Sequence, residues 1–530
     1  MINDIIADGL ARGWQHIDGA RIEKDQTLEV DVAVVGTGAG GGVSAEILSE
    51  KGLRVALIEE GPLKSSRDFK MEERIAYPDL YQEAAGRKSK DKGINIYQGR
   101  SVGGGTTVNW TASFRTPPET LKHWATHHHV SGLGVETMAP WFERMERRFT
   151  IEPWKLTPNE NNSVLKRGAE KLGWHVEVVP RNVKDCWNLG YCGMGCPTNA
   201  KQSILVTAIP QAMDRGAVLL SRMRAERLSI SGDRINSLVC VARGDLGQSR
   251  TDREVTVRAR HFVLAAGAIG TPALMLRSEL PDPHELIGRR TFLHPVNVSA
   301  ASMPDPVEAH AGAPQSIYSD HFVWQDSVTG SCGYKLEVPP VHPLLAGTVA
   351  TGHGKTRREF MREFPNLQVI IALMRDGFNE ASEGGRVEIN DQGDPVLDYP
   401  ITDYLWDGFR RAYLSMAELQ FAAGAKQVHP VHQDAKPYKN WAEAKREIPK
   451  LPMETLHARI VCAHQMGGCA MGDDPRRAVV DSQCRHHLLE NLSVIDGSVF
   501  PTSVGTNPQL SIYALAAKQA TNLAEAIPSA

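Results

Sequence analysis

The segment Gly36-Thr37-Gly38-Ala39-Gly40-Gly41 constrains this chain more than any other feature. It fits the pattern G-x-G-x-x-G, and its surroundings are those the pattern needs. A β-rich apolar run, 28–35 (LEVDVAVV), precedes it, helical spacing over 43–51 follows, and a second apolar run, 53–58 (LRVALI), lies beyond. This is a βαβ unit of about 30 residues. Gly36 makes the tight turn, Gly38 lets the backbone approach a pyrophosphate, Gly41 allows close helix–strand packing, and the helix N-terminus faces the anion. Glu59 ends the second strand, 23 residues after Gly36, where a carboxylate holds a ribose hydroxyl. The ADP-ribose part of either NAD or FAD satisfies such a site.

Composition excludes several other classes. Lys+Arg number 59 against 62 Asp+Glu, a net charge of −3, without the basic excess of a nucleic-acid binder. With 42% hydrophobic and 23% charged residues the chain is a packed globular protein, not a disordered one. Asp4, Asp8, Arg12 and Asp18 interrupt the N-terminus, so no secretory signal is expected. The longest apolar uncharged stretch, 262–275, is broken by Gly267, Gly270 and Pro272 and is too short to span a bilayer. The default expectation is therefore a cytoplasmic protein with no transmembrane segment. Co-export to the periplasm with a signal-bearing partner, and peripheral membrane association, stay open.

Along the chain, 1–28 reads as a helical lead-in and 63–95 as polar with no strand pattern. Residues 119–175 read as largely helical, and 181–203 as a Cys/Gly/Asn-rich loop. Short alternating runs over 217–267 predict hairpins and a meander ending in a buried strand at 261–265. Residues 295–375 look β-rich. A helix is expected over 402–425 with Thr402 as N-cap, and a last one from about 508 to 524.

Three more glycine-rich segments stand far from the first: 99–109 (GRSVGGGTTVN), 264–272 (LAAGAIGTP) and 464–472 (HQMGGCAMG). With the tail motifs 491–501 (NLSVIDGSVFP) and 506–508 (TNP), they resemble the glucose–methanol–choline (GMC) oxidoreductases. The likeness is strongest to the long-chain fatty alcohol oxidase branch and to bacterial FAD-dependent alcohol and sugar dehydrogenases. It implies an α/β protein of mixed α+β character. A Rossmann-like FAD-binding domain is built from discontinuous segments (29–118, 200–295, 455–530), after a lead-in over 1–28. A helical region with the Cys-rich loop occupies 119–199, and a β-sheet-based substrate-binding domain 296–454.

The cofactor implied is FAD, and the reaction is oxidation of an alcohol, hydrophobic and primary or secondary, to an aldehyde or ketone. Removal of the hydroxyl proton suits a neutral imidazole, and the resemblance makes His464 that base, with hydride passing to flavin N5. Asn507 matches the second active-site position, where an amide donates to the alcohol oxygen; Asn-Pro also suits a helix start. The helix after Pro508 favours an anionic reduced flavin through its dipole. By the same matching, Gly103, Gly104, Thr107, Asn109, Ala266, Gly267, Asp496, Gly497 and Pro508 are cofactor contacts, along with Gly36, Gly38, Gly41 and Glu59.

Cys186, Cys192 and Cys196 give C-x5-C-x3-C-P, a poor fit to paired zinc spacing. Related sugar dehydrogenase subunits carry a three-iron iron–sulfur cluster in a matching loop. The resemblance therefore admits a sugar or polyol dehydrogenase subunit that passes electrons to a partner, and a flavoprotein lyase as a further alternative. Simple packing and a disulfide remain open for these cysteines. The electron acceptor is left as oxygen, quinone or a haem protein, with a small or cytochrome subunit as a candidate partner.

Overall fold

The computed structural model describes residues 2–245 and 249–528. The strand Gln26–Val35 is exposed on alternate positions at its start and wholly buried over its last six residues. Such a run, covered on both faces, belongs inside a parallel sheet. It pairs in parallel with Val55–Ile58 on one side and with the second half of Arg250–Leu264 on the other. Outward from Val55–Ile58 the sheet continues through Val218–Ser221 to His16–Asp18. On the far side Arg250–Leu264 pairs antiparallel with Arg234–Arg243, which pairs with Met223–Ser231, while Leu492–Val494 joins it in parallel from the tail. The expected meander is thus present. The lead-in is shorter in helix than expected, because only Ile5–Ala11 is helical before the chain adds His16–Asp18 to the sheet edge. The helices Ala39–Glu50 and Gln509–Ala526 pack on each other over this sheet.

A second sheet runs Ile94–Ile96, Ile460–Cys462, Val296–Ser302, Leu367–Met374, Tyr334–Glu337, Ile317–Phe322, Glu177–Val178, with Gln427–Pro430 also on Val296–Ser302. Ile94–Ile96 is a strand at the end of a stretch that shows no alternation in sequence. The helix Asp403–Ala422 backs this sheet: Asn297 donates to the Phe409 carbonyl and Ser299 to Gln420. Side chains alternate along a strand, so Val296, Val298 and Ala300 face the other way. A smaller sheet, Pro395–Asp398, Gly385–Ile389, Arg289–Leu293 and Gln465–Gly467, carries the chain past His464.

Candidate active site

A cavity of 1470 Å³ is lined by strand ends of the first sheet (Val35, Ile58), the free face of the second (Val296, Val369) and the glycine-bearing segments. Those segments meet through bare backbone. A Cβ on Gly36, where φ is +99°, would stand 2.2 Å from the Ala265 carbonyl oxygen. One on Gly40 would stand 1.9 Å from the Ile495 carbonyl oxygen. At Gly104, where φ is +53°, it would meet the Gly38 Cα at 2.7 Å. No side chain fits at these crossings, and two of them also need left-handed backbone. A Cβ on Gly105, by contrast, would meet nothing within 4 Å: there the backbone faces open cavity.

Polar side chains tie the crossings together. The Thr37 hydroxyl donates to Glu59 at 2.6 Å and accepts from the Gly103 amide at 3.0 Å, and Glu59 also accepts from the Gly61 amide at 2.9 Å. Asp496 accepts from the Gly267 amide at 2.8 Å, from Thr271 at 2.7 Å and from the Ser498 amide at 2.7 Å. It anchors the start of the helix Gly267–Arg277 against the tail. Burial raises both carboxyls above their ordinary range, opposed by these hydrogen bonds.

Among the residues singled out from sequence, Gly36, Gly38, Glu59, Gly104, Asn109, Ala266, Gly267, His464, Asp496, Gly497, Asn507 and Pro508 all line the cavity. Gly41, Gly103 and Thr107 do not. Gly41 packs on the Gly36 carbonyl, and Thr107 bonds the Val102 carbonyl at 2.9 Å. Asn109 donates to Gln509. The backbone cup and the acid beside it fit the phosphate and ribose parts of FAD.

His464 lies at the other end, half-buried and lining the cavity. Burial pulls its imidazole down to about 4, opposed by Glu337 and reinforced by Lys335. Its Nδ1 is 3.1 Å from Nδ1 of His294, whose Nε2 accepts from the Gly505 amide at 3.1 Å. Burial holds His294 well below its ordinary pKa, so it is neutral. A neutral imidazole that accepts at Nε2 carries its proton on Nδ1. His294 therefore donates to His464, and the resting His464 carries its own proton on Nε2. The other His464 tautomer, open at Nε2, forfeits the Gly505 bond, a difference of about 1–3 kcal/mol. That gap is small beside a catalytic barrier.

Asn507 does not cap the last helix; Pro508 precedes Gln509–Ala526 without a side-chain cap. Its carboxamide instead bonds Lys335 at 3.0 Å and Glu337 at 3.2 Å. Lys335, Glu337 and His294 were not singled out from sequence. A signal did exist: two charges two residues apart inside the apolar stretch CGYKLEV place both on one face of a buried strand.

The iron–sulfur alternative for Cys186, Cys192 and Cys196 finds no support in the fold. Among the described residues no group of three or more His, Cys, Asp and Glu is placed to hold a metal. All eight cysteines are free, so no disulfide forms either. The Lys201 ammonium occupies the inside of this loop, donating to the carbonyls of Thr107 at 2.6 Å, Asn109 at 2.9 Å and Cys192 at 2.7 Å. Cys196 accepts from the Lys201 amide. A buried cation thus fixes the loop to the 99–109 segment.

GMC oxidoreductase family models match residues 77–296 and 381–516. The long-chain-alcohol oxidase FAO4B of Arabidopsis thaliana is 30% identical over 96% of this chain and 69% of its own length. An uncharacterized GMC-type oxidoreductase, y4nJ, of Sinorhizobium fredii is 29% identical over 94% of this chain and 95% of its own. The fold is shared with pyridoxine 4-oxidase from Mesorbium loti (TM-score 0.67, 20% identity, 93% of this chain and 98% of that one). It is shared also with Aspergillus oryzae formate oxidase (TM-score 0.68, 14% identity, 94% and 99%). This chain belongs to the GMC oxidoreductase family. It is an FAD-dependent oxidoreductase acting on CH–OH donors. No described helix is long and apolar enough to cross a membrane.

Two outcomes follow. Gly104→Ala drives a Cβ into Gly38 and forces the two segments apart; the purified variant should lose its bound flavin absorbance, and full retention would contradict the cradle. With His464 titrating near 4, its neutral form persists above that pH. The acid limb of kcat/KM should therefore fall with pH through about 4; a limb near the ordinary imidazole value of roughly 6.5 would contradict the burial.

Proposed function

We propose that the protein oxidises alcohols carrying a long alkyl chain to the carbonyl compound, with His464 handling the hydroxyl proton and Asn507 donating to the alcohol oxygen. The observation that carries this reading is the apolar slot leading away from His464. The His294 amide donates to the His464 carbonyl at 3.3 Å, and two residues on begins Val296–Ser302. Along it Val296, Val298 and Ala300 form a floor with Leu373, Ile371 and Val369 of the neighbouring strand, each pair in direct register. From Val296 to Ala300 this floor is about 13 Å long at roughly 3.3 Å per residue. Leu345, Ala346, Val349 and Phe360 line it from the two helices Pro343–Val349 and Lys355–Arg362. A free sugar would leave hydroxyls unpaired against these apolar side chains, with His429 beside Ala300 a polar exception, and each unpaired hydroxyl costs free energy. The long-chain-alcohol oxidases among the relatives favour the same substrate class.

Within this site the chain's own residues do the following. The slot aligns the alkyl chain and excludes water, so that the carbinol end alone reaches His464 and Asn507. His464, kept neutral by burial, accepts the hydroxyl proton at Nε2 from its minor tautomer. Asn507 bonds the oxygen as negative charge grows on it. FAD held in the cradle supplies a two-electron acceptor for the hydride from the carbinol carbon.

Each methylene buried in the slot is worth about 0.8 kcal/mol, roughly fourfold in kcat/KM. A series of primary alcohols of increasing length should therefore show kcat/KM rising until the slot is full. Ala300→Phe, which blocks the floor, should lower kcat/KM for the longest members by roughly tenfold or more and leave the short ones near wild type. A flat series, or preference for a polyol, would refute the reading.

A further inference from the structure

Lys335 and Glu337 are buried to 4% and 0% side-chain exposure, and their charged ends are 3.0 Å apart. Taking such a pair out of water offsets most of its attraction, so stability alone is a weak reason for it. Both ends also hold Asn507. Lys335 Nζ donates to Asn507 Oδ1 at 3.0 Å and to Thr506 at 3.2 Å. Glu337 Oε2 accepts from Asn507 Nδ2 at 3.2 Å and from the Gln315 side-chain Nε2. An ammonium only donates, and a carboxylate only accepts. The carboxamide therefore cannot turn over: its oxygen faces Lys335 and its nitrogen faces Glu337. Neutral partners such as Ser or Gln would tolerate either orientation. One N–H is left for the cavity that Asn507 lines. Phe114, with its ring centroid 3.2 Å from Lys335 Nζ, and Tyr318, at 4.5 Å, wall the ammonium in.

We propose that Lys335 and Glu337 are positioning residues whose ion pair locks Asn507 as a one-way hydrogen-bond donor to the substrate oxygen. The role rests on the alcohol reading above, and the pair reaches the substrate oxygen through Asn507. A double-mutant cycle tests it on the flavin-loaded enzyme. Lys335→Met with Glu337→Gln removes both charges, so no unpaired charge is buried. Glu337→Gln alone, equal in shape, is the second variant.

Losing one donor to a developing oxyanion costs about 10²–10³ in kcat, so Asn507→Ala should fall by roughly a hundredfold. The charge-free pair should lower kcat in the same range, with KM within about twofold and flavin retained, because the lost bond strengthens only as the reaction proceeds. Added to Asn507→Ala, the pair substitution should cost little more, since residues acting as one unit are not additive. Glu337→Gln should show the same non-additive loss at smaller size. Full kcat in either variant, or losses that add to those of Asn507→Ala, would overturn the proposal. A wild-type flavin that no long-chain alcohol reduces would overturn the alcohol reading as well, which separates the two failures.

Discussion

Everything in this molecule depends on how closely one stretch of bare backbone can approach another. Residues 36–41, 99–105, 265–267 and 495–497 come from distant parts of the chain, yet they cross where a single Cβ would collide with a carbonyl or a Cα. Those crossings bring the ends of the first sheet, the helix Gly267–Arg277 and the tail to one place. Once they are fixed, the tail has only a short path from the first sheet to the second, and His464 and Asn507 fall at the far end of the same cavity. The Thr37 hydroxyl and the Asp496 carboxylate act at these crossings as internal staples.

The far end follows a different rule. Apolar walls remove water, and every charge or lone pair that remains becomes costly unless it is partnered. His464 responds by losing proton affinity, and it shares its Nδ1 with His294. Lys335 and Glu337 lie within 3.0 Å of each other and grip Asn507. The same dryness that makes the slot receptive to an alkyl chain also makes the few polar groups at its end orientationally rigid. On the proposed function, substrate class and catalytic geometry have one physical origin.

Much of this was legible in the sequence because glycine motifs report on backbone contact directly. The G-x-G-x-x-G unit, the later glycine segments and the tail each marked a lining of the cavity, and His464 and Asn507 came with them. What escaped were residues whose role depends on pairing across strands. Lys335 and Glu337 read locally as two charges in a β-run, and only the register of Tyr334–Glu337 against Leu367–Met374 buries them beneath Asn507. Glu59 is expected at a ribose from its spacing after Gly36; the structure places it on the cavity, and its bonds to Thr37 and Gly61 emerge only from the folded turn. The cysteine spacing suggested a cluster because three thiols stand close in sequence. The fold sets a lysine ammonium against the carbonyls of Cys192, Thr107 and Asn109, which no local pattern announces.

The most direct test of the central claim is an anaerobic titration of the purified, flavin-loaded protein with a long-chain primary alcohol, followed by the visible absorbance of the flavin. The wild type should show stoichiometric bleaching of the oxidised band, and His464→Ala, with flavin still bound, should lose its rate by several powers of ten. A flavin that stays oxidised with every alcohol, or bleaches equally fast without His464, would contradict that claim.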